Sequence, residues 1–146
     1  MERRAFLKST CNICGLLATG FILPSLAGCG PAAYKVIHTE IHDDRIEIPV
    51  ASFAATAPPL QLVRPAGWLY SIALRKHEDN TYSALLLKCT HQDNQLAPSG
   101  NGGYTCSLHG STFNPEGRVT KGPAERALRS YPVTADQTNV IIHLKA

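Results

Sequence analysis

No charge of one sign dominates this chain. Lys and Arg number 14 against 11 Asp and Glu. Arg3, Arg4 and Lys8 all fall within the first ten residues, so the rest is close to neutral. That excludes the basic footprint of a nucleic-acid binder. There is no internal repeat and no amphipathic helical stretch. No nucleophile–base pair or paired acidic residues suggest catalysis. Glu116 and Glu125 are single carboxylates in loop-like sequence and read as solvated. At 146 residues there is room for one domain and not for a large multidomain enzyme. Charged residues make up 17% and hydrophobic ones 44%, a balance that buries a modest core and excludes a disordered tail.

A long apolar run is also lacking. The run from Ile13 to Leu26 is about 14 residues, short of the roughly 20 that a bilayer span needs. It is broken by Gly15, Gly20 and Pro24. Preceded by Arg3, Arg4 and Lys8, it has the layout of an export signal. Arg3-Arg4-Ala5-Phe6-Leu7-Lys8 resembles the twin-arginine motif, whose pathway carries folded proteins. Leu26-Ala27-Gly28-Cys29 resembles a bacterial lipobox, which implies lipid on Cys29 and a mature chain starting there. The competing reading keeps the segment as a membrane anchor with a chance cysteine. Cys11-Asn12-Ile13-Cys14 has no strand before it and no domain around it, so it reads as signal filler. The expected organisation is a signal over residues 1–28, a tether and first strand over 29–45, and one domain over 46–146.

What the sequence does hold is strand and turn. It has 11 Gly and 10 Pro, which favours short strands over long helices. Tyr34 to Ile41 reads as a weak strand, and His42-Asp43-Asp44-Arg45 as a turn. Ile46, Ile48 and Val50 alternate with polar residues, and Ala54 to Pro59 reads as a loop. Trp68, Tyr70, Ile72 and Leu74 fall on one face at period two. Tyr82 to Lys88 is a further strand, and Val140, Ile142 and Leu144 alternate near the end. The expected class is all-β, built of short antiparallel strands. Between Lys88 and Tyr131 the alternation fades into loops, where reactive side chains on sheet scaffolds sit.

With Cys11, Cys14 and Cys29 assigned to the leader, two cysteines remain, each with a histidine nearby. They form Cys89-Thr90-His91 and Cys106-Ser107-Leu108-His109-Gly110. Fourteen residues separate His91 from Cys106, including the turn-rich stretch Pro98-Ser99-Gly100-Asn101-Gly102-Gly103. The chain can therefore fold back and set two ligand loops face to face. Two thiolates and two imidazoles admit a Cys2His2 zinc site. They equally admit a two-iron centre with histidines replacing two cysteines on one iron. Zinc knuckles usually pair like residues at close spacing. Here each loop offers one soft and one borderline ligand, which suits two metals. His38, His42, His77 and His143 have no ligand spacing and read as surface or strand residues.

Cys89-Thr90-His91 and Cys106-Ser107-Leu108-His109-Gly110-Ser111-Thr112-Phe113 resemble the two cluster loops of the Rieske family. Asn114-Pro115-Glu116-Gly117-Arg118-Val119 and Gly122-Pro123-Ala124 resemble the turn and proline loop that cover its cluster. Leu128, Tyr131 and Val133 fit the strand that follows, and the likeness spans roughly residues 46–145. The resemblance implies a Rieske fold with a cluster-binding subdomain at one tip and one [2Fe-2S] cluster per chain. It implies Cys89 and Cys106 on one iron, His91 and His109 on the other, and a sulfur-directed hydroxyl on Ser111. It also implies one-electron transfer, in a band of about −150 to +300 mV.

The chain departs from the Rieske subunits of cytochrome bc complexes. Their two disulfide cysteines correspond to Asn94 and Leu108 here, so no disulfide clamps the loops. Their sulfur-bonding tyrosine corresponds to Phe113, which cannot donate. Gln92 follows the first histidine, where those subunits form a quinone-docking tip. The expected function is thus a lipid-anchored electron carrier facing the periplasm or cell exterior, with a redox protein as donor or acceptor. The alternative is a quinol-oxidising bc-type subunit anchored by residues 11–28. A ring-hydroxylating oxygenase needs a second, mononuclear iron domain, for which residues 114–146 leave no room.

Overall fold

The computed structural model of the protein describes residues 34–54 and 56–145. The signal segment, the Cys11/Cys14 pair and Cys29 lie outside the described residues. Regular structure there is almost entirely strand, as expected, joined by turns and loops, with one 3-10 turn at Val50–Phe53. The strands are β1 (Lys35–Thr39), β2 (Arg45–Pro49), β3 (Leu60–Pro65), β4 (Ile72–Lys76), β5 (Tyr82–Leu86) and β6 (Leu96–Pro98). They continue as β7 (Tyr104–Cys106), β8 (Thr112–Phe113), β9 (Val119–Lys121), β10 (Ser130–Tyr131), β11 (Val133–Ala135) and β12 (Asn139–His143).

Three sheets result, ordered β1-β3-β4-β5-β10, β11-β12-β2 and β6-β7-β8-β9. Pairing is antiparallel except for β1 beside β3. That parallel pair is possible because the chain between them detours through β2, long enough for a crossover. In β2, Ile46 and Ile48 are buried while their neighbours are exposed. They sit opposite Ile142 and Val140 of β12. The turn before β2 puts Asp43 and Asp44 at φ 48 and 59, a hand that short acidic side chains tolerate.

The five-stranded sheet is buried on both faces. Val63, Ile72, Leu74 and Ala84 join Ile46, Ile48, Val140 and Ile142 in one core. Leu60, Leu62, Ala73 and Leu85 join Leu96, Tyr104 and Phe113 in a second core, under the four-stranded sheet. A strand covered on both sides loses its alternation. That is why β3, buried at five of six positions, does not stand out in the sequence.

One sequence expectation needs correcting. Trp68 and Tyr70 are not in the strand with Ile72 and Leu74. Pro65 ends β3, and Gly67 at φ 74 turns the chain, closed by Trp68 N–H to the Pro65 carbonyl at 3.2 Å. The shared period of two across residues 68–74 is therefore coincidental, and β4 begins at Ile72.

The registers fix the polarity of the domain. Lys35 pairs with Gln61 and Thr39 with Pro65. Val63 pairs with Ile72, and Ile72 with Leu86. The chain thus enters β1 at one end of the sheet, while β5 runs out at the other end into Leu87, Lys88 and Cys89.

Candidate metal centre

Period-two geometry carries the thiols inward. Leu85, Leu87 and Cys89 follow one another on the inner face of β5 and its extension, and Tyr104 and Cys106 on that of β7. Cys89 and Cys106 are 1% and 2% exposed, against the same apolar core. The chain reverses immediately after each. The Cys89 amide donates to the Asn94 carbonyl at 2.9 Å, and the Cys106 amide to the Ser111 carbonyl at 2.9 Å. Each ligand loop is thus closed across the same five-residue step. In the second loop Gly110 at φ 76 makes the reversal, its amide bonded to the Cys106 carbonyl at 3.0 Å.

The imidazoles go the other way. His91 and His109 are exposed at the loop tips. Their rings meet edge to face, with centroids 5.0 Å apart at 79°. The two thiols lie within hydrogen-bonding reach of each other, and both are free. Burial pushes the Cys106 thiol up. Hydrogen bonds from the Leu108 amide, the Asn94 side chain, Cys89 and the His109 amide outweigh burial, so its pKa lies below the usual thiol value. The site favours negative charge on that sulfur, as metal ligation requires.

Among the described residues, no three His, Cys, Asp or Glu side chains gather as on one metal ion. The donors come as a buried thiol pair and an exposed imidazole pair. A tetrahedral zinc draws four donors to one point. A buried thiol pair and an exposed imidazole pair suit a two-iron centre with unlike ends.

The segment after β9 closes over both loops. Ala124 donates its amide to Ser111 Oγ at 3.0 Å, and Thr90 Oγ1 donates to the Arg126 carbonyl at 2.6 Å. Ser111 is fully buried. Since its oxygen accepts from Ala124, its own hydroxyl hydrogen is left to donate. Phe113 is buried opposite Tyr104, in the apolar core. From the β3–β4 turn, Tyr70 OH reaches the Asp93 carbonyl at 3.3 Å, and Gln95 Oε1 accepts the Ser71 amide at 2.9 Å. These two contacts brace the first loop.

The other described histidines lie elsewhere. His77 Nε2 pairs with Ser83 Oγ and His143 Nε2 with Thr134 Oγ1, both at 2.9 Å, while His38 is in β1 and His42 at the turn before β2. Nothing local in the sequence marks Thr90 as a tie between the first loop and the covering segment. The same holds for Asn94 as a donor to Cys106. A polar residue five positions after the first cysteine was the available signal, but nothing local says where it points.

No curated protein matches the chain. Among solved structures, the cyanobacterial plasma membrane Rieske protein PetC3 from Synechocystis PCC 6803 is 26% identical, with a TM-score of 0.53 over 67% of this chain and 95% of that one. A chain from the complex of reduced oxygenase and oxidized ferredoxin in carbazole 1,9a-dioxygenase shares the fold, with a TM-score of 0.52 at 19% identity over 71% of this chain and 96% of that one. Residues 60–132 match the Rieske [2Fe-2S] domain, a segment of half the chain that contains both ligand loops and the covering proline segment. The paired donors and this match lead to one conclusion: the chain belongs to the Rieske family, whose [2Fe-2S] cluster serves electron transfer.

Proposed function

We propose that this protein is an exported one-electron carrier, held at the outer face of a membrane by lipid on Cys29. The observation that carries the reading is the division of the site into buried thiols and exposed imidazoles. Cys89 and Cys106 would hold one iron of the cluster, and His91 and His109 the other. When bound, the cluster supplies storage for one electron, neutral when oxidised and singly negative when reduced. The protein's part is to keep water from the thiolates, to fix both imidazoles, and to leave those imidazoles open to a redox partner. Such a small change of charge in a fixed cage demands little rearrangement.

The polarity of the fold supports a carrier over a quinol-oxidising subunit. Only six Cα-to-Cα steps separate Cys29 from Lys35 at the start of β1. At no more than about 3.5 Å each they span about 20 Å. Because β1 enters at the end opposite the ligand loops, an anchor at Cys29 presents the histidines away from the bilayer. That orientation suits a redox protein in the aqueous space. The alternative, a bc-type subunit anchored by residues 11–28, would have its histidines facing away from a quinol pool.

Mass spectrometry of the mature protein tests the anchoring. The expected N-terminus is acylated Cys29, and Cys29→Ala should be exported but lose the lipid and the membrane. Each acyl chain contributes about 0.8 kcal/mol per buried CH2, so two or three make detachment negligible. A native chain retaining residues 1–28 with no acyl mass would favour the anchored subunit instead.

Ser111 and Phe113 set the expected potential. A hydrogen bond to a charged group is worth about 1.5–3 kcal/mol, of which roughly 1 kcal/mol responding to reduction is a shift of about 40 mV. Ser111→Ala should lower the potential by that order and also strand the Ala124 amide, at a stability cost of about 1–3 kcal/mol. Phe113→Tyr should raise the potential. Voltammetry on the full chain checks both. A Ser111→Ala potential at or above native would show that the hydroxyl does not serve the sulfur.

A further inference from the structure

The two ligand loops are joined by one side chain that neither the fold nor the ligand set requires. Asn94, in the first loop, points its amide across to the second. Its Nδ2 lies 3.5 Å from Cys106 Sγ and 3.5 Å from Ser107 Oγ. The first is an ordinary length for an N–H···S hydrogen bond, sulfur being larger than oxygen. The same residue's carbonyl accepts the Cys89 amide. Asn94 therefore touches both cysteine positions, Cys89 through its backbone and Cys106 through its side chain. Its third contact, from Nδ2 to the Gln95 carbonyl at 3.3 Å, helps fix the amide's orientation. The side chain is partly buried, so water competes only in part for these bonds.

We propose that Asn94 is a positioning and tuning residue: its side-chain amide spans the two ligand loops and favours the reduced cluster by donating a hydrogen bond to Cys106 sulfur. Adding one electron forms and breaks no covalent bond, but it puts more negative charge on the sulfurs. An N–H donor already aimed at one of them is then worth more than before. The amide also ties the loops together without a covalent link, both described cysteines being free thiols. In this role Asn94 partly offsets the donor that Phe113 does not supply. The inference rests on the cluster reading above. Its failure is distinguishable, because iron content and the reduced EPR spectrum test the cluster while the measurements below test Asn94.

The test uses the full chain with its cluster assembled. Asn94→Leu, which keeps the branched heavy-atom skeleton without a donor, should retain two irons per chain. Its reduction equilibrium should fall about fivefold, which is about 40 mV for one electron at 59 mV per tenfold. Asn94→Gln, which keeps an amide, should recover part of that loss. A residue with a merely structural role would change cluster lifetime and leave the potential alone. A loaded Asn94→Leu protein with native potential overturns the proposal. Should that variant assemble no cluster, the native protein decides: with asparagine side-chain amides labelled with 15N, pulsed EPR of the reduced state should show a weak coupling to one such nitrogen. Absence of that coupling overturns the proposal equally.

Discussion

Replacing any one of Cys89, His91, Cys106 or His109 is expected to abolish the cluster outright. Cys89→Ser, His91→Ala, Cys106→Ser and His109→Ala would each remove one of two protein ligands from an iron, and among the described residues no other cysteine or histidine lies in either loop. The other described histidines are committed elsewhere or lie on other elements, as His143 does against Thr134. The measured outcome is loss of the visible absorption and of the reduced EPR signal, with iron falling from two per chain to a trace. Loss of the metal should also lower thermal stability, because a site assembled only in the folded chain contributes its binding energy to folding. The thiols are buried in a core shared with Leu87, Leu96 and Phe113, so emptying the centre unsettles the subdomain first. His143→Ala is the control and should keep a full cluster. A His91→Ala protein with a native rhombic, low-average-g reduced spectrum would show that His91 is not a ligand.

The second large effect concerns export. Arg3→Lys together with Arg4→Lys is expected to leave cluster-loaded protein in the cytoplasm, with little or none at the membrane. Cluster insertion uses cytoplasmic assembly machinery, and the candidate ligands come from two loops that meet only in the folded domain. The covering segment, tied down through Ser111 and Thr90, then closes over both loops. A protein with that order of events must cross the membrane folded, which is what a twin-arginine signal provides. Cell fractionation with EPR on each fraction reads the result. Export of the double variant at native level, cluster included, would count against this route.

The four candidate donors stand out in the sequence because each pair is local. A cysteine and a histidine within three residues, twice, with turn residues between, needs no knowledge of the fold. β2 and β12 were legible because one face of each is buried and the other is wet, so Ile46, Ile48, Val140 and Ile142 stand out. β3 was hidden by the opposite condition, burial on both faces. The strands β6 to β9, at two or three residues each, are too short to establish a period. Their pairing depends on the closed ligand loops as much as on their own side chains. Trp68 and Tyr70 misled because a turn at Gly67 happens to preserve the spacing of the strand that follows. Asn94 illustrates a different limit. Its partner Cys106 lies twelve positions away on another loop, and only the fold brings the two together.

The measurement that bears most directly on the account is pulsed EPR of the reduced native protein after selective 15N labelling of histidine. A rhombic, low-average-g signal is expected, with strong coupling to two inequivalent nitrogens, those of His91 and His109. The signal and both couplings should vanish in Cys89→Ser, which breaks the cluster from its thiolate end. A colourless protein that holds stoichiometric zinc, or a reduced spectrum with no histidine nitrogen coupled, would contradict it.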